Sequence, residues 1–312
     1  MRAAAREGRV TVLGSFIADL TVRTPRLPAW GETVFGSAVR IGPGGKGSNQ
    51  AVAAARLGAR VSFIGALGRD AFAELARRTW REEGIDAADC VEVPGHGTGA
   101  AAVVVHATRG ENAIVVDPGS GLLLTVADVE RAAARIAGSA VFVTQLEVAV
   151  PVVARALAVA RGGGAITILN AAPALPLPAD MYALCDYLTP NETEAAVLAG
   201  FPVATVDDAA RAAEALRGRG AATVIVTLGA RGALVRTGGG TVHVPAVDAG
   251  PVVETTGAGD AFTGALAVGL AEGMDAVAAT RFACAAAGIS VTRPGTAAAM
   301  PRRAEVDALR RA

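Results

Sequence analysis

A glycine-rich octet, Thr255 to Phe262, carries the carboxylate with the clearest chemical potential in the chain. The segment from Ala261 to Ala271 is almost wholly apolar and predicts a buried helix, so Asp260 would lie in its first turn. The unpaired N–H groups of a helix start attract anions, and two glycines leave them unobstructed. Asp260 could therefore take a proton from a hydroxyl group that is being phosphorylated. Alternatively, Asp260 only favours the helix dipole and the glycines only form a turn.

A second glycine-rich segment, residues 42–50, reads Gly-Pro-Gly-Gly-Lys-Gly-Ser-Asn-Gln and precedes a predicted helix from Ala51 to Leu57. It contains a GxGxxG pattern, but the strand before it is not uniformly apolar, as a dinucleotide-binding fold requires. Lys46 also lacks the glycine spacing of a Walker A loop. The segment offers a backbone that a ligand can approach closely, with Lys46 and Asn49 as donors suited to sugar hydroxyl groups. The alternative is a plain glycine-rich turn with Asn49 near a helix start.

Polar residues follow several predicted buried strands, at the edge where open α/β sheets bind ligands. Asp19 comes shortly after the first strand, Val10 to Gly14, and is a candidate sugar or metal contact unless it is an ordinary loop residue. Three later strands end in polar residues: Glu147, Asn170 and Asn191. Asn191 also has the capping-box spacing to Glu194, which would be a purely structural role. The segment Thr227 to Gly232 has two glycines that could wrap a nucleotide or simply turn into a hairpin.

Strand and helix patterns alternate through most of the chain, which predicts a mostly parallel sheet flanked by helices. The β-rich runs Thr98 to His106 and Asn112 to Asp117 predict a hairpin, and Glu32 to Ile41 predicts a strand exposed on one face. We expect these runs to form a small antiparallel sheet that acts as a lid, because phosphoryl transfer requires the exclusion of water. The alternative is an edge extension of the main sheet. Further helices are predicted at Asp70–Glu83, Thr125–Ile136, Pro151–Arg161 and Asp207–Arg217, and further strands at Arg60–Gly65, Ala140–Leu146, Ile166–Leu169, Tyr187–Thr189 and Thr223–Thr227.

Composition excludes several classes of function. A chain of 312 residues with 52% hydrophobic content can build one large core. Its 29 basic and 29 acidic residues balance, which argues against nucleic acid as a partner. The three cysteines, Cys90, Cys185 and Cys284, lack metal-site spacing, and the sequence shows neither a signal peptide nor a membrane-spanning run. We therefore expect a cytoplasmic protein.

The motifs together resemble those of ribokinase-type members of the PfkB carbohydrate kinase family. The similarity runs from about Val10 to Arg310. It rests on segments at 44–50, 145–147, 170–174, 191–194, 227–232 and 256–260. Each segment alone is weak evidence for the family, but the order and spacing of all of them are specific to it.

The resemblance implies a Rossmann-like ribokinase fold in a single kinase domain. Its main α/β part would cover about 8–16, 42–97 and 118–312, and its β lid about 17–41 and 98–117. It implies ATP-dependent phosphorylation of the primary 5-hydroxyl of a pentose, most simply D-ribose, with Mg²⁺ and an activating potassium-type ion. Relatives commonly form homodimers through the lid, and the apolar Val103 to Val105 would suit such a contact.

The resemblance also implies a role for each motif residue. Asp260 would be the base, and Gly257, Ala258 and Gly259 would donate backbone N–H groups to the transferred phosphoryl group. The sugar would be held by Asp19, Ile17, Gly45, Lys46, Asn49, Glu147 and Asp260. The nucleotide would be bordered by Asn191, Thr227, Gly229, Gly232, Gly259 and Cys284. Glu194 would organise Mg²⁺ through water, and the monovalent ion would bind among Glu254, Thr256, Ser290, Arg293 and Gly295.

Three positions depart from the ribokinase pattern. Ile17 replaces the usual Asn near the sugar, and deoxyribokinases carry an apolar residue there, so 2-deoxyribose is an alternative substrate. Another sugar or nucleoside kinase of the family is a further alternative. Glu254 replaces the usual Asp at the ion site, and Cys284 stands where relatives place His or Asn; we interpret Cys284 as a packing residue. A non-catalytic sugar-sensing protein is the alternative from a different class, because fold alone does not establish function.

Overall fold

The computed structural model describes residue 6 and residues 8–108 and 111–311, which form an α/β fold with two principal sheets. Elements are numbered in chain order. The strands are β1 (Arg9–Leu13), β2 (Ile17–Thr24), β3 (Ser37–Gly44), β4 (Arg60–Ile64), β5 (Ala66–Leu67), β6 (Val91–Glu92), β7 (Thr98–His106), β8 (Asn112–Gly119), β9 (Val141–Thr144), β10 (Ile166–Leu169), β11 (Tyr187–Leu188), β12 (Thr223–Thr227), β13 (Ala233–Thr237) and β14 (Gly240–Val244). The helices are α1 (Lys46–Arg56), α2 (Ala71–Glu82), α3 (Val126–Arg131), α4 (Ala133–Ala137), α5 (Val150–Gly163), α6 (Glu192–Ala199), α7 (Val206–Gly218), α8 (Ala258–Ala271), α9 (Ala276–Ser290) and α10 (Arg303–Leu309).

The large sheet has eight strands in the order β14-β13-β12-β11-β10-β9-β1-β4. All neighbours from β4 to β12 are parallel, and only β13 and β14 are added in antiparallel fashion. The predicted mostly parallel sheet is therefore confirmed. Its parallel strands bring their carboxyl ends to one edge, so the residues that follow them can meet there.

Helices cover both faces of the large sheet. Successive residues of a strand point to opposite faces, and Val12 and Leu13 of β1 accordingly belong to two separate core clusters. Phe142 and Val143 of β9 divide in the same way. Helices α1, α8 and α9 pack on the Val12 side, and α5 and α7 on the Leu13 side. Burial of both faces explains why these strands are continuous apolar runs in the sequence.

The helices predicted from Asp70 and Thr125 begin directly after these residues, but the second helix is interrupted. Asp70 caps α2 by accepting from the Ala73 N–H at 2.8 Å, and Thr125 forms a capping box with Asp128. The predicted helix from Thr125 to Ile136 is divided at Ala132 into α3 and α4.

The small sheet has four strands in the order β3-β2-β7-β8, and it corrects two expectations. It is mixed rather than antiparallel, since β2 and β7 run parallel while the other pairs are antiparallel. The chain leaves β3 for the main part and returns only at β7, which allows the parallel pairing. The strand predicted from Glu32 begins at Ser37 instead and is not covered on either face from Ser37 to Ile41.

No helix in the described ranges has the length and apolar character needed to cross a membrane.

Candidate active site

Helix α8 starts at the glycine octet, and Asp260 is its third residue. Gly257 precedes the helix with φ 83°, a left-handed conformation that favours glycine, and its carbonyl accepts from the Asp260 N–H at 3.0 Å. The Ala258 N–H donates to the Thr255 carbonyl at 3.2 Å. In the described chain, the N–H groups of Gly257 and Gly259 have no backbone acceptor. Two of the three predicted phosphoryl-binding amides are thus available at this helix start.

The Asp260 side chain is 6% exposed and does not cap its own helix. Its Oδ2 accepts from Asn49 Nδ2 at 2.9 Å, and its Oδ1 accepts from Gln50 Nε2 at 3.0 Å. Burial raises the pKa of Asp260, while the Lys46 charge and the two amide donors act in the opposite direction. The carboxylate therefore has more specific surroundings than a residue that only favours the helix dipole.

Helix α1 begins within the second glycine segment, earlier than predicted, and presents both amides to α8. It starts at Lys46, so Asn49 and Gln50 lie inside the helix rather than before it. The Oδ1 atom of Asn49 is buried and has no hydrogen-bond partner in the described chain. A buried acceptor of this kind is satisfied when a ligand hydroxyl donates to it.

Glu147 follows β9 and accepts the first N–H of helix α1. Its Oε2 atom lies 2.9 Å from the Lys46 backbone nitrogen and also accepts from the Ser15 hydroxyl. Burial raises the pKa of Glu147 despite the nearby Lys46 charge. Burial opposes the charged form of Lys46, but the carboxylates of Asp260, Glu147 and Glu194 outweigh it and leave the pKa of Lys46 raised. The lysine and these three carboxylates therefore form one electrostatic group.

Asp19 lies in β2 and belongs to the same group. Burial raises its pKa to about 6, helped by the charges of Glu147 and Asp260 and opposed by a hydrogen bond from Thr296. The Thr296 hydroxyl lies 3.2 Å from Asp19 Oδ2. A Cβ added to Gly44 would lie 2.2 Å from the same oxygen, so glycine permits the carboxylate to pack against the backbone.

Gly45 and Ile17 are in direct contact across the start of the small sheet. Gly45 has φ 83°, and an added Cβ would lie 2.6 Å from the backbone nitrogen of Ile17. The Ile17 side chain is buried at 4% exposure. The glycine is therefore required both by its conformation and by the close approach of two backbone segments.

The residues predicted to border the nucleotide range from exposed to buried and do not form a single cluster. Asn191, which follows β11, is a bridge partner of Thr227, the last residue of β12, and Gly229 has open space beyond its Cα. Gly232 instead packs against the β14 segment, where an added Cβ would lie 2.1 Å from the Val244 carbonyl oxygen. Cys284 is a buried member of the core on α9, and burial raises its pKa to about 12, in keeping with a packing role.

Glu194 forms the capping box whose spacing the sequence contains. Its Oε2 accepts from the Asn191 N–H at 2.8 Å, and its own N–H donates to Asn191 Oδ1 at 2.9 Å. Burial raises the pKa of Glu194, opposed by the Asn191 hydrogen bond and the Lys46 charge. The structural role is therefore present, and it engages one of the two carboxylate oxygens.

The residues predicted to bind a monovalent ion lie where residues 253–256 meet the end of α9. Glu254 Oε2 accepts from the Gly295 N–H at 2.9 Å, and the Glu254 N–H donates to the Val291 carbonyl at 3.2 Å. The Ser290 hydroxyl donates to a helix carbonyl, and the Arg293 side chain pairs with Glu305. Thr256 is half-buried directly before Gly257. The side chains of Ser290 and Arg293 are thus engaged within the protein.

Among the described residues, no group of three or more His, Cys, Asp or Glu side chains could hold a metal ion by itself.

Several residues around Asp260 were not assigned a role from the sequence. They are Ser15, Gln50, Gln145, Asn170 and Thr296. The sequence gives an indirect signal for two of them, because Gln50 follows Asn49 in the glycine-rich segment and Asn170 lies at the end of a predicted strand. Nothing in the sequence indicates that Thr296 contacts Asp19, because the two are 277 residues apart in the chain.

Taken together, the geometry places a buried carboxylate beside unpaired amides at a helix start, with polar groups that can orient hydroxyls. This arrangement suits an enzyme that activates a hydroxyl group for phosphoryl transfer.

Comparison with known proteins agrees with this class. The model of the pfkB family carbohydrate kinases matches residues 7–303. Ribokinase from Haemophilus influenzae is 39% identical over 296 residues, covering 95% of this chain and 96% of the relative. Deoxyribokinase from Salmonella typhimurium is 39% identical over 293 residues, covering 94% and 95%. The structure of Arabidopsis thaliana ribokinase complexed with ribose and ATP superposes with a TM-score of 0.89 at 31% identity, covering 96% of this chain and 98% of that one.

The chain therefore belongs to the pfkB family of carbohydrate kinases and has the ribokinase fold.

Proposed function

We propose that this protein transfers the γ-phosphoryl group of ATP to the primary 5-hydroxyl of a pentose, with D-ribose as the main substrate. The observation that carries the proposal is the buried Asp260 carboxylate beside the open amides of Gly257 and Gly259. The ribokinase relatives, and the neighbouring structure with ribose and ATP, support the choice of substrates.

In the proposed reaction, Asp260 accepts the proton of the sugar hydroxyl. The hydroxyl oxygen forms a bond to the γ-phosphorus while the bond from that phosphorus to the β,γ-bridging oxygen breaks, and ADP leaves. The amides of Gly257 and Gly259 stabilise the charge on the transferred group. Burial of Asp260 keeps competing water away from the base.

The sugar end of the site is defined here as Asp19, Lys46, Asn49, Glu147 and Asp260, with Gly45 and Ile17 beside them. Carboxylates accept hydrogen bonds from sugar hydroxyls, and Lys46 donates to them. The unpaired Oδ1 of Asn49 is a further acceptor. Because the sugar end contains both donors and acceptors, it suits a polyhydroxylated ligand.

The nucleotide end is defined as Asn191, Thr227, Gly229 and Gly259, all close to the carboxyl edge of the large sheet or the start of α8. Gly229 and Gly259 have no atom within 4 Å of an added Cβ, which leaves room for a ligand. Gly232 and Cys284, by contrast, contribute through packing.

The residues also fit the two cations that the family implies. Glu194 retains one carboxylate oxygen outside its capping box, and a hard oxygen suits Mg²⁺ held chiefly by nucleotide phosphates and water. When bound, Mg²⁺ neutralises charge on the phosphates. A potassium-type ion would be held by backbone oxygens near Thr256, Ser290, Arg293 and Gly295, with Glu254 supplying charge close to them.

Two features leave 2-deoxyribose as the alternative substrate. Ile17 is buried and apolar beside the sugar end, so it offers no partner to a hydroxyl group. A deoxyribokinase is also as similar to this chain as a ribokinase is.

We also propose that the protein is a cytoplasmic homodimer joined through the small sheet. Its three cysteines are free, which suits a reducing compartment. The small sheet exposes apolar side chains that a second copy could cover. These side chains are Leu20, Val39, Ile41, Ile114, Val115 and Val116. Val103 to Val105, the segment expected from the sequence, is only half-buried.

Light scattering should give twice the chain mass, and replacing Val39 and Val115 by Lys should give monomers.

An ATP-consumption assay with a panel of sugars tests the activity. Turnover should be fastest with ribose or 2-deoxyribose and should require a divalent cation. Absence of turnover with ribose, 2-deoxyribose, fructose and nucleosides at millimolar concentration would refute the proposal.

A further inference from the structure

A chain of three buried amide side chains connects Asp260 to the carboxyl edge of the large sheet. Gln50 Nε2 donates to Asp260 Oδ1 at 3.0 Å and to Asn170 Oδ1 at 3.1 Å. Gln50 Oε1 accepts from Gln145 Nε2 at 2.6 Å. Gln50 and Gln145 are both 0% exposed. The network therefore lies on the interior side of Asp260.

The direction of each hydrogen bond in this network follows from its far end. Asn170 Nδ2 lies 2.8 Å from the Thr189 carbonyl, which can only accept. Asn170 must therefore present its oxygen to Gln50, and Gln50 must present its NH₂ group. Reversing the Gln50 amide would set its oxygen against the oxygens of Asn170 and Asp260. One orientation of Gln50 is thus strongly preferred.

Asn49 and Gln50 are neighbours on α1, and both donate to Asp260. They differ in whether their remaining polar atoms have hydrogen-bond partners within the protein. Asn49 has a buried Oδ1 with no hydrogen-bond partner among the described residues. Gln50 has both N–H groups and its carbonyl oxygen engaged within the protein. Gln50 therefore acts on the reaction through Asp260 and not through contact with the sugar.

We propose that Gln50 is a positioning residue that holds the Asp260 carboxylate in the orientation needed to receive the proton of the sugar hydroxyl. The inference rests on the proposed role of Asp260 as the base. Gln145 and Asn170 support it by fixing the Gln50 amide from two sides. The carboxylate is thereby oriented before substrate binds, which is the condition for efficient proton transfer.

The charged groups around Asp260 come from four other positions. They are Lys46 on α1, Asp19 on β2, Glu147 after β9 and Glu194 on α6. Removing the Gln50 amide leaves all of them in place. Since a hydrogen bond to the ionised form lowers a carboxyl pKa, losing it should raise the pKa of Asp260. The acidic limb of the kcat profile should then move to higher pH.

The decisive variant is Gln50→Met, which keeps the side-chain length and removes the amide. We expect kcat to fall about 10- to 100-fold, as for a misplaced catalytic group, while the KM for the sugar changes less than about threefold. The acidic limb of the kcat profile should move to higher pH.

Ser139→Ala is the matched control, because it also removes a buried hydrogen bond. Ser139 Oγ lies 2.6 Å from Thr11 Oγ1 and precedes β9, at the strand end opposite Gln145. This variant should lower Tm without altering kcat or its pH profile. If Gln50→Met behaves as Ser139→Ala does, the proposal is overturned.

If Gln50→Met does not fold, Gln145→Met tests the proposal instead, because it removes only a hydrogen-bond partner of Gln50. A smaller fall in kcat with the same direction of pH shift supports the proposal, and an unchanged profile overturns it. Asp260→Asn separates the two claims. A normal kcat in Asp260→Asn would refute the assignment of Asp260 as the base. An inactive Asp260→Asn together with a normal kcat in Gln50→Met would refute only the positioning role of Gln50.

Discussion

At the sugar end of the site, Asp19, Glu147 and Asp260 are each held by donors from other segments of the chain, and burial raises the pKa of each. At the nucleotide end, Asn191 and Gly229 are exposed. Under the proposed function, the two ends would therefore bind their ligands by different means. A reacting hydroxyl needs a base in one fixed place, whereas phosphates can be held by amides and cations that tolerate more variation.

This difference predicts that substitutions of the same kind lower activity or stability more at the sugar end than at the nucleotide end. The largest loss of activity is expected at Asp260, the proposed base. Asp260→Asn should lower kcat by about 10²- to 10⁴-fold with sugar affinity nearly intact, because the amide still accepts and donates hydrogen bonds but cannot take the proton. Steady-state kinetics with isothermal titration of the sugar would measure both quantities. Asp180→Asn, on the exposed surface, is the control and should leave kcat unchanged. Near-normal kcat in Asp260→Asn would refute the base assignment.

Glycine-to-alanine changes at the two ends form a matched pair, since both glycines have positive φ. In Gly45→Ala the new Cβ would lie 2.6 Å from the Ile17 nitrogen, so we expect a loss of about 2–3 kcal/mol of stability and a clear rise in the KM for the sugar. Gly229→Ala, at φ 55° with open space, should cost about 1 kcal/mol and leave the sugar KM unchanged. Chemical denaturation and kinetics would show whether the order holds. Equal effects would contradict the comparison.

Asp19 predicts a dependence of stability on pH. Its pKa is raised from 3.8 to about 6, so the folded state holds more protons than the unfolded chain between these values. Stability should therefore fall as pH rises through this window, by about 2–3 kcal/mol at most. Asp19→Asn should remove this loss, raising Tm at pH 7.5 but not at pH 4, while weakening sugar binding. A Tm difference that is the same at both pH values would exclude Asp19 as the cause.

The smallest effect is expected on substrate choice. Ile17→Asn should raise the ratio of kcat/KM for ribose over 2-deoxyribose by about tenfold, because a buried amide left unpaired by the deoxy sugar is penalised. Ile17→Val, which stays apolar, should leave the ratio unchanged. An unchanged ratio in Ile17→Asn would remove Ile17 from the account of specificity.

Local signals predicted much of the fold. Buried parallel strands such as Ile166–Leu169 and Thr223–Thr227 have the predicted bounds, because continuous apolar runs between turns have few other solutions. The small sheet was predicted less well. Its strand β3 begins five residues after Glu32, and β2 pairs with β7 in parallel, since pairing between segments far apart in the chain leaves no local pattern.

The sequence by itself determined the family, the parallel sheet and the octet with Asp260 at a helix start, because glycine spacing and apolar periodicity are local properties. The tertiary structure decided which groups act on that carboxylate. Gln50 reaches it from α1 across 210 residues of sequence, and Asn170 and Gln145 join it from two strand ends. Hydrogen bonds between side chains depend on how helices and strands pack, and no spacing along the chain encodes that.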